Sequence, residues 1–224
     1  CFSIKRLGFE FPGGFAEYVR IPSYNFCPVR EGMPLHEMAV LPDAVATSYH
    51  ALKTMAQVQA GQDVLIMGAG GLGIHAVQLA KWMGARVIAV ARREGPLQLA
   101  AEYGADILID SGKEGSAQEV MEVTRGRGVD VILENVGTSS SIRWCLPFLK
   151  RRGRLVLVGY DPTDPYPLNA MEMHYNEWTL CGSRVSTKQE LLEVIDLVEQ
   201  GKIKPVVSKR YPWTEANHAI REIQ

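Results

Sequence analysis

The sequence predicts an α/β fold with a doubly wound parallel sheet of about six strands. Two observations predict it. Short apolar runs alternate with amphipathic helical patterns through the middle of the chain, which is typical of a parallel sheet covered on both faces. The first of these runs leads into a glycine-rich turn and then a helical pattern, which is the order found where such a sheet binds a dinucleotide.

Length and composition are those of an ordinary globular protein that is large enough to bury a substantial core. The chain has 224 residues, of which 46% are hydrophobic and 22% are charged, and its formal net charge is −1. This charge gives no electrostatic reason to expect nucleic acid or an anionic membrane as a partner. No apolar stretch has the length of a membrane span and no signal-peptide pattern opens the chain, so we expect a cytoplasmic protein.

The cysteines predict neither a disulfide framework nor a complete local zinc site. Cys1, Cys27, Cys145 and Cys181 are widely spaced and form no C-x-x-C pair. The chain also begins at a cysteine rather than a methionine and stops at Gln224 within a helical pattern. From these ends we expect a piece of a longer protein.

The first part of the chain carries short strand patterns and then short helical ones. Residues 15–21 and 24–29 are apolar stretches bounded by glycine and proline, and they predict two strands. Residues 35–41 predict a short helix. Asp43 stands where an N-cap residue would open a second helix, which extends to about Ala56.

The predicted central strand, residues 64–67, is followed by the pattern G-x-G-x-x-G. Gly68, Gly70 and Gly73 occupy its three glycine positions, with Gly71 and Leu72 between them. Such glycines permit a tight turn, a close approach of the backbone to a pyrophosphate, and close packing of the next helix on the strand. The free N–H groups of that helix favour phosphate. A glycine pattern alone also fits a simple turn, and the surrounding strand and helix favour a dinucleotide site.

Further strand and helix pairs follow this unit. The helix after the glycines stops at Gly84, and a proline-rich loop covers residues 161–167. A helix over residues 188–200, an apolar stretch at 206–211 and a helix from Thr214 complete the chain. The remaining predicted strands are residues 87–91, 107–109, 129–133, 155–158 and 178–181, and the helices between them are 97–103, 117–124 and 140–150.

The residues after the second strand predict the choice of cofactor. An NAD site places Asp or Glu there to bind the ribose 2′-hydroxyl. This chain has Ala91 followed by Arg92 and Arg93, and guanidinium groups pair bidentately with a 2′-phosphate. We therefore expect NADP(H) in preference to NAD(H). The alternative is that both arginines are solvated loop residues partly neutralised by Glu94.

Other candidate ligand-binding residues follow later strands, because ligands of open parallel sheets lie beyond the carboxyl ends of the strands. Each of them also fits a simple turn residue. They are Asn135, Val136 and Gly137 after the fourth strand, Gly159 and Tyr160 after the fifth, and Gly182, Ser183 and Arg184 after the sixth.

One basic run, residues 150–154, is the only cluster in the sequence that suggests nucleic acid. It falls at the end of the predicted helix 140–150, where cations favour the helix dipole. No aromatic residues are interleaved with it, so we interpret it as a solvated helix end and expect no nucleic-acid partner.

With these elements in place, the chain resembles the medium-chain dehydrogenase/reductase family, which contains the zinc-type alcohol dehydrogenases and the quinone and enoyl reductases. The resemblance covers essentially the whole chain. It rests on Gly-Gly-Phe-Ala-Glu-Tyr-Val (13–19), Asp-Ala-Val-Ala-Thr-Ser-Tyr-His-Ala-Leu (43–52), Gly-Ala-Gly-Gly-Leu-Gly (68–73), Tyr-Gly-Ala-Asp (103–106), Val-Asp-Val-Ile-Leu-Glu-Asn-Val-Gly (129–137) and Gly-Arg-Leu-Val-Leu-Val-Gly (153–159).

The resemblance implies a division into domains and a set of roles. Residues 1–44 would belong to a GroES-like catalytic domain, 45–183 to a Rossmann dinucleotide domain, and 184–224 to a segment returning to the catalytic domain. Asp43 lies where zinc-dependent relatives have a metal ligand, usually cysteine, and its alternative role is the N-cap. Thr47 lies where the family's threonine approaches the nicotinamide, and its alternative is a hydroxyl bonded within its own helix. The stretch after the sixth strand is used near the nicotinamide end.

The function implied by the resemblance is zinc-assisted hydride transfer between NADP(H) and a small alcohol, aldehyde or ketone. A zinc-free quinone or enoyl reductase is the alternative within the family. A non-catalytic NADPH-binding sensor or interaction protein is the alternative from another class, because a fold does not fix a function. The family also implies a homo-oligomer, either a dimer or a tetramer, formed through the strand near Trp178.

Overall fold

The computed structural model describes residues 5–222 and divides into two compact units. The larger comprises residues 29–206, and the smaller comprises the described parts of residues 1–28 and 207–224. In the smaller unit, Gly8 donates its N–H to the Phe11 carbonyl at 2.8 Å, which closes a tight turn. The predicted domain boundaries at 44/45 and 183/184 stay predictions.

A parallel sheet of six strands forms the centre of the larger unit. Its spatial order is β3-β2-β1-β4-β5-β6, and every pairing is parallel. The predicted doubly wound α/β fold is therefore confirmed. The chain reverses its direction of travel between β1 and β4, which creates a crevice at the carboxyl ends of these strands. The strands are β1 Asp63–Met67, β2 Arg86–Ala91, β3 Ile107–Asp110, β4 Val129–Glu134, β5 Leu149–Leu157 and β6 Thr179–Gly182.

The central strands are apolar because helices cover both of their faces. All five residues of β1 are buried, and Leu65 and Ile66 have no exposed surface. Runs of Val, Ile and Leu are expected in strands that lose contact with water on both sides. β6 lies at the edge of the sheet and is only partly buried.

Helices of the larger unit flank this sheet, and most helices of the chain lie where the periodicity predicts them. The predicted helix that opens at Asp43 is continuous but irregular: a π-helical turn at Leu41–Val45 leads into α2 and a second at Ala51–Met55 follows it. The α-helices are α1 Leu35–Met38, α2 Ala46–His50, α3 Gly71–Trp82, α4 Glu94–Glu102, α5 Ser116–Val123, α6 Ser139–Cys145, α7 Ala170–Asn176, α8 Lys188–Glu199 and α9 Ala216–Glu222, with 3-10 turns at Ser23–Asn25, Leu146–Phe148 and Trp213–Glu215.

Two parts of the prediction are wrong. Residues 15–21 and 24–29 form no strands, since no strand among the described residues pairs with them and an unpaired strand leaves its backbone polar groups unsatisfied. The predicted helix 140–150 ends at Cys145, because Pro147 follows closely and interrupts helical hydrogen bonding. β5 then begins at Leu149, so the basic run lies on a strand and not at a helix end.

Helix α3, which follows the glycine turn, is tied to the chain that returns after α8. Gln78 exchanges two hydrogen bonds of 2.9 Å with the backbone of Lys204. His75 accepts the Val206 N–H at Nε2 over 3.0 Å, and its Nδ1 lies 2.7 Å from the Gly71 carbonyl. Burial lowers the pKa of His75, which favours the neutral ring that this acceptor role requires. No helix within residues 5–222 is long and apolar enough to cross a membrane.

A carboxylate at the start of α8 joins that helix to the segment after α2. Glu190 accepts hydrogen bonds from Thr54 Oγ1 at 2.6 Å and from the Thr187 N–H at 2.7 Å, and its Oε1 lies 2.8 Å from His50 Nδ1. Burial alone would raise the pKa of Glu190, but these hydrogen bonds outweigh burial and lower it to about 2. The ionised form is therefore favoured by folding.

This network predicts an acid-sensitive contribution to stability. Because the folded-state pKa of Glu190 lies near 2 and its ordinary value is 4.5, its contribution is complete above about pH 4.5 and is lost as the pH falls toward 2. We expect Glu190→Gln to lower the free energy of unfolding at neutral pH by about 1–3 kcal/mol and to flatten its pH dependence below about pH 5. Urea unfolding at several pH values measures both, with exposed Glu119→Gln as the control. An equal pH dependence in E190Q and E119Q would contradict the assignment.

Candidate functional site

The crevice at the carboxyl ends of β1, β2 and β4 contains a cavity of about 340 Å³. Its walls are the glycine turn after β1, the end of β2 and the first turns of α6. The lining residues are Met67, Gly68, Ala69, Gly70, Val90, Ala91, Arg92, Arg93, Pro96, Ser111, Val136, Thr138, Ser140, Ser141 and Trp144.

The glycine turn brings the start of α3 against the end of β1. A Cβ atom on Gly73 would lie 1.9 Å from the Gly68 carbonyl oxygen, so no other residue fits there. Gly68 itself has a φ of +89°, which disfavours any side chain. By contrast, a Cβ on Gly70 or Gly71 would meet no atom within 4 Å. Open space therefore adjoins the N-terminus of a 12-residue helix, where N–H groups and the helix dipole favour a phosphate.

A buried carboxylate shapes the loop that follows β4. Glu134 has no exposed surface and accepts the N–H of Val136 at 3.1 Å and the N–H of Gly137 at 2.7 Å. Burial raises the pKa of Glu134, and the hydrogen bonds oppose that rise. The side chain thus folds the loop back on its own strand. This places Val136 against Gly68, with a Cβ on Gly68 lying 2.9 Å from Val136 Cγ2.

The loops after β4 and β5 cross each other in direct backbone contact. A Cβ on Gly137 would lie 2.1 Å from the Tyr160 nitrogen, and a Cβ on Gly159 would lie 2.5 Å from the Asn135 carbonyl oxygen. Asn135 sends Nδ2 toward the Gly68 carbonyl at 3.4 Å, while its Oδ1 is buried and has no partner among the described residues. Tyr160 is exposed. These residues come together as predicted at the carboxyl edge of the sheet.

The end of β2 carries two exposed arginines and a neighbouring carboxylate from β3. Ala91 pairs in register with Asp110, whose Oδ1 accepts the Gly112 N–H at 2.9 Å. Arg92 and Arg93 both line the cavity, and Arg93 precedes the first residue of α4. The carboxylate at this corner therefore comes from β3 and not from β2, and Lys113 Nζ lies 3.7 Å from its Oδ2.

Helix α2 reaches the glycine turn from the other side. Ser48 Oγ lies 3.0 Å from the Leu72 carbonyl. Thr47, which directly precedes Ser48, is only 5% exposed and donates its hydroxyl to Oδ1 of Asp43, one turn earlier, at 3.2 Å. Asp43 is exposed and lies within the π-helical turn that precedes α2, so its carboxylate reaches Thr47 and does not cap the helix in the predicted way.

The predicted residues after β6 do not line the cavity. Gly182 ends the strand, and the Ser183 N–H donates to the Leu157 carbonyl at 2.8 Å. Ser183 Oγ is buried without a partner among the described residues, and Arg184 is exposed. Their role near a nicotinamide stays a prediction, as do the roles of the other candidate residues.

Several lining residues are absent from the sequence prediction. Thr138 caps α6 by accepting the Ser141 N–H at 3.2 Å, and Trp144 follows on the same helix. The T-x-x-S spacing of Thr138 and Ser141 is a signal that indicates this helix start. Ser111 carries no such signal, because only the register of β2 with β3 brings it to the cavity. Pro96 lies in the first turn of α4, shortly after the end of β2.

The residues present fit a dinucleotide, and the described residues do not complete a metal site. Free space beside Gly70 and Gly71 and the unpaired Asn135 Oδ1 suit a ligand with phosphates and polar groups. Within residues 5–222, no group of three or more His, Cys, Asp or Glu side chains is placed to hold a metal ion. Asp43 is therefore at most one ligand of a zinc ion, which in proteins takes at least three.

The chain is similar to a family of dehydrogenases and to several of its members. A family model described as zinc-binding dehydrogenase matches residues 71–200. The NAD-dependent alcohol dehydrogenase of Sulfolobus acidocaldarius is 34% identical over 227 residues, which cover 100% of this chain and 64% of that protein. The acryloyl-coenzyme A reductase of Sulfurisphaera tokodaii is 30% identical over 207 residues, covering 91% and 60% respectively.

The same similarity holds in three dimensions. The crystal structure of the alcohol dehydrogenase from Aeropyrum pernix matches with a TM-score of 0.90 at 35% identity, covering 98% of this chain and 64% of that one. The chain thus spans less than two thirds of the length of each of these relatives.

The predicted preference for NADP(H) over NAD(H) is wrong on this comparison. The relative from S. acidocaldarius and two further relatives that are 31% identical are named NAD-dependent alcohol dehydrogenases. The prediction considered only the residues that follow β2. In the structure, Asp110 pairs in register with Ala91 and Glu94 opens α4, so the field of these carboxylates opposes the attraction of Arg92 and Arg93 for a 2′-phosphate. Lys113 Nζ lies 3.7 Å from Asp110 Oδ2 and reduces the contribution of Asp110.

The buried carboxylate of Glu134 yields a prediction about ligand affinity. Replacing it with Gln leaves one oxygen to accept one of the two loop N–H groups, and the amide group faces the other as a second donor. We expect Glu134→Gln to weaken NADH binding about ten-fold, a loss that corresponds to one hydrogen bond of about 1.4 kcal/mol. Titration of protein fluorescence with NADH measures this, with Glu119→Gln as the control. Unchanged affinity in a folded E134Q variant would show that the loop needs no such support.

Proposed function

The chain belongs to the zinc-binding dehydrogenase family, and from that premise we propose that it uses NAD(H) to interconvert a small alcohol with its aldehyde or ketone. Its relatives are alcohol dehydrogenase-like oxidoreductases. Since the chain spans less than two thirds of their length, activity and substrate are proposals for the whole protein. The observation that carries the proposal is the open glycine turn at the crevice between β1 and β4.

The proposed cofactor site divides between the two sides of the crevice. The α3 N-terminus with Gly70 and Gly71 would bind the pyrophosphate. The apolar wall, with Val136 and Trp144, suits the adenine base, and the polar groups after β4 and β5 suit the remainder of the ligand. When bound, NAD(H) supplies the hydride acceptor or donor.

Oxidation of an alcohol releases a hydride from carbon and a proton from oxygen, and the chain offers a route for the proton. Thr47 Oγ1 donates to Asp43 Oδ1, so its lone pair is free to accept a proton from a substrate hydroxyl. The proton then passes to Asp43, which is exposed to solvent. The hydrogen bond supports this route, and the family resemblance supports only the position of Thr47 near the nicotinamide.

A reductase acting on an activated carbon–carbon double bond is the second candidate. The relative named acryloyl-coenzyme A reductase favours it. In that reaction hydride adds to one alkene carbon and a proton adds to the other. Assay of the purified protein with NADH against a panel of aldehydes, ketones and enones separates the candidates by which carbonyl or alkene is reduced. Binding of NADH without turnover of any of them would favour a non-catalytic role. The homo-oligomer stays a prediction.

The choice of cofactor has a direct test at the corner where β2 and β3 meet. We expect NADH to bind more tightly than NADPH, because Asp110 adds negative charge beside Ala91. Asp110→Asn removes that charge, and we expect it to raise NADPH affinity about three- to ten-fold while leaving NADH affinity unchanged. Fluorescence titration measures both constants. The control is Glu119→Gln, which removes a carboxylate from an exposed face of α5. Equal responses of the two cofactors to D110N would contradict this explanation.

The proposed proton route predicts a defect in turnover and not in cofactor binding. Thr47→Val keeps the side-chain shape and removes the hydroxyl, and we expect kcat to fall about 100-fold, which is typical of a lost proton-transfer group. NADH affinity should stay within about two-fold of the unmodified protein. Asp43→Asn should shift the pH dependence of kcat, because the route then lacks its carboxylate. Normal kcat in T47V would exclude this route.

A further inference from the structure

A second cavity lies at the amino ends of the strands, opposite the crevice at their carboxyl ends. It has a volume of about 520 Å³ and is formed at the amino ends of β1, β4 and β5. Four of its lining side chains are cationic, namely Lys150, Arg151, Arg152 and Arg154, and the single carboxylate among them is Asp130. Three glutamines complete the polar wall. The volume lies within the range of small-molecule sites.

An irregularity in β5 builds the basic wall of this cavity. Val129 of β4 pairs with Leu149 and Val131 pairs with Arg154, so the four residues 150–153 of β5 stand opposite Asp130 alone and leave the regular ladder. The indole N–H of Trp178 lies 3.2 Å from the Leu149 carbonyl and 3.0 Å from the Lys150 carbonyl, which holds the bulge in place. Bulges of this kind redirect side chains and are enriched next to binding sites.

The positive charge of this wall is mostly uncompensated. Lys150 pairs with Asp130, whose other oxygen accepts the Asp63 N–H at 2.9 Å. Arg154 donates one N–H to the Met55 carbonyl at 3.2 Å. Across residues 5–222, Arg151 makes no ion pair or hydrogen bond with another described group.

Arg152 also lacks a buried partner. Among the described residues its one ion pair is with Glu177, at 3.3 Å, where both side chains are largely exposed and the pair is weak. Three guanidinium groups therefore face a concave space with little opposing charge.

The backbone at Arg152 supports a role for its side chain. Its φ is +62°, a conformation that a glycine adopts more readily than an arginine. Gly153 follows directly, and a Cβ there would lie 2.7 Å from the Leu149 side chain, so this turn is tightly packed. An arginine held in an unfavourable conformation at the mouth of a basic cavity is an outlier that points toward binding.

We propose that this cavity binds a small anionic molecule that carries a phosphate group, at a site separate from the dinucleotide and beyond the proposed oxidoreductase function. Guanidinium groups bind phosphate oxygens in bidentate pairs, and the glutamine amides add neutral donors. A nucleic acid is less well suited, since none of the side chains lining this cavity is aromatic and none offers a surface for base stacking.

The test uses inorganic pyrophosphate as the probe and protein saturated with NADH, so that the glycine turn is not available to it. Isothermal titration should show binding in the submillimolar range, which weakens with added salt. We expect the double variant Arg151→Gln with Arg154→Gln to weaken binding at least ten-fold and R151Q alone to weaken it about three-fold. R151Q guards against misfolding, because Arg151 is exposed and makes no ion pair or hydrogen bond with a described group.

Two further variants separate binding from structure. Arg152→Gly should weaken pyrophosphate binding without lowering the Tm, because glycine suits the positive φ. Arg125→Gln is the matched control, since Arg125 is also exposed with a φ of +55°, and it should change neither property.

Three results would overturn the proposal. They are no pyrophosphate binding by the NADH-saturated protein, equal binding by the unmodified and double-variant proteins, and tighter binding of a single-stranded oligonucleotide than of pyrophosphate with the same arginine dependence. If the unmodified protein did not bind NADH or turn over any substrate, the proposed oxidoreductase function would be contradicted instead. Failure of the anion site and failure of the oxidoreductase function are therefore distinguishable.

Discussion

The close contact between Gly73 and the Gly68 carbonyl is the constraint on which the candidate site depends. With 1.9 Å between that oxygen and a hypothetical Cβ, the first turn of α3 packs against the end of β1 only if residue 73 is glycine. This contact fixes where the helix N-terminus points. His75 and Gln78 of the same helix make hydrogen bonds with the backbone of residues 204–206, which fix the helix to the returning chain. The open space beside Gly70 is therefore a consequence of packing elsewhere in the larger unit.

The carboxyl ends and the amino ends of the strands differ in which polar groups are paired within the protein and which remain free. At the carboxyl edge, Glu134 is buried and uses its charge to fold the loop after β4, and helix N–H groups remain free for an anion. At the amino edge, the bulge in β5 carries arginine side chains whose charge is not matched by carboxylates. In a parallel sheet all strands point the same way, so the loops at their carboxyl ends and those at their amino ends present different groups. Here both edges present groups that suit anions, by different physical means.

Much of the fold was predictable from the sequence because buried parallel strands leave a strong local signal. The apolar run at 64–67, the glycines after it and the later alternation all match the structure. Residues 15–29 were mispredicted because an apolar alternation says nothing about whether a partner strand is present. The basic run at 150–154 was misplaced because Pro147 ended the helix early and a bulge extended β5. The positions that failed are those where a non-local contact or an irregular backbone decides the structure.

The prediction of the cofactor was also wrong because of a non-local contact. Spacing along the sequence does not reveal which residues of neighbouring strands lie side by side. Counting residues from the glycines leads to Ala91, where no acid is found. Asp110 is 19 positions later in the chain, yet the pairing of β2 with β3 sets it directly beside Ala91. A carboxylate there would act on a ribose bound at this corner whichever strand supplied it, because Coulombic attraction and repulsion depend on distance and not on sequence. Spacing along the chain finds only the residue at the end of β2, whereas the strand register also shows the carboxylate that β3 brings to the same corner.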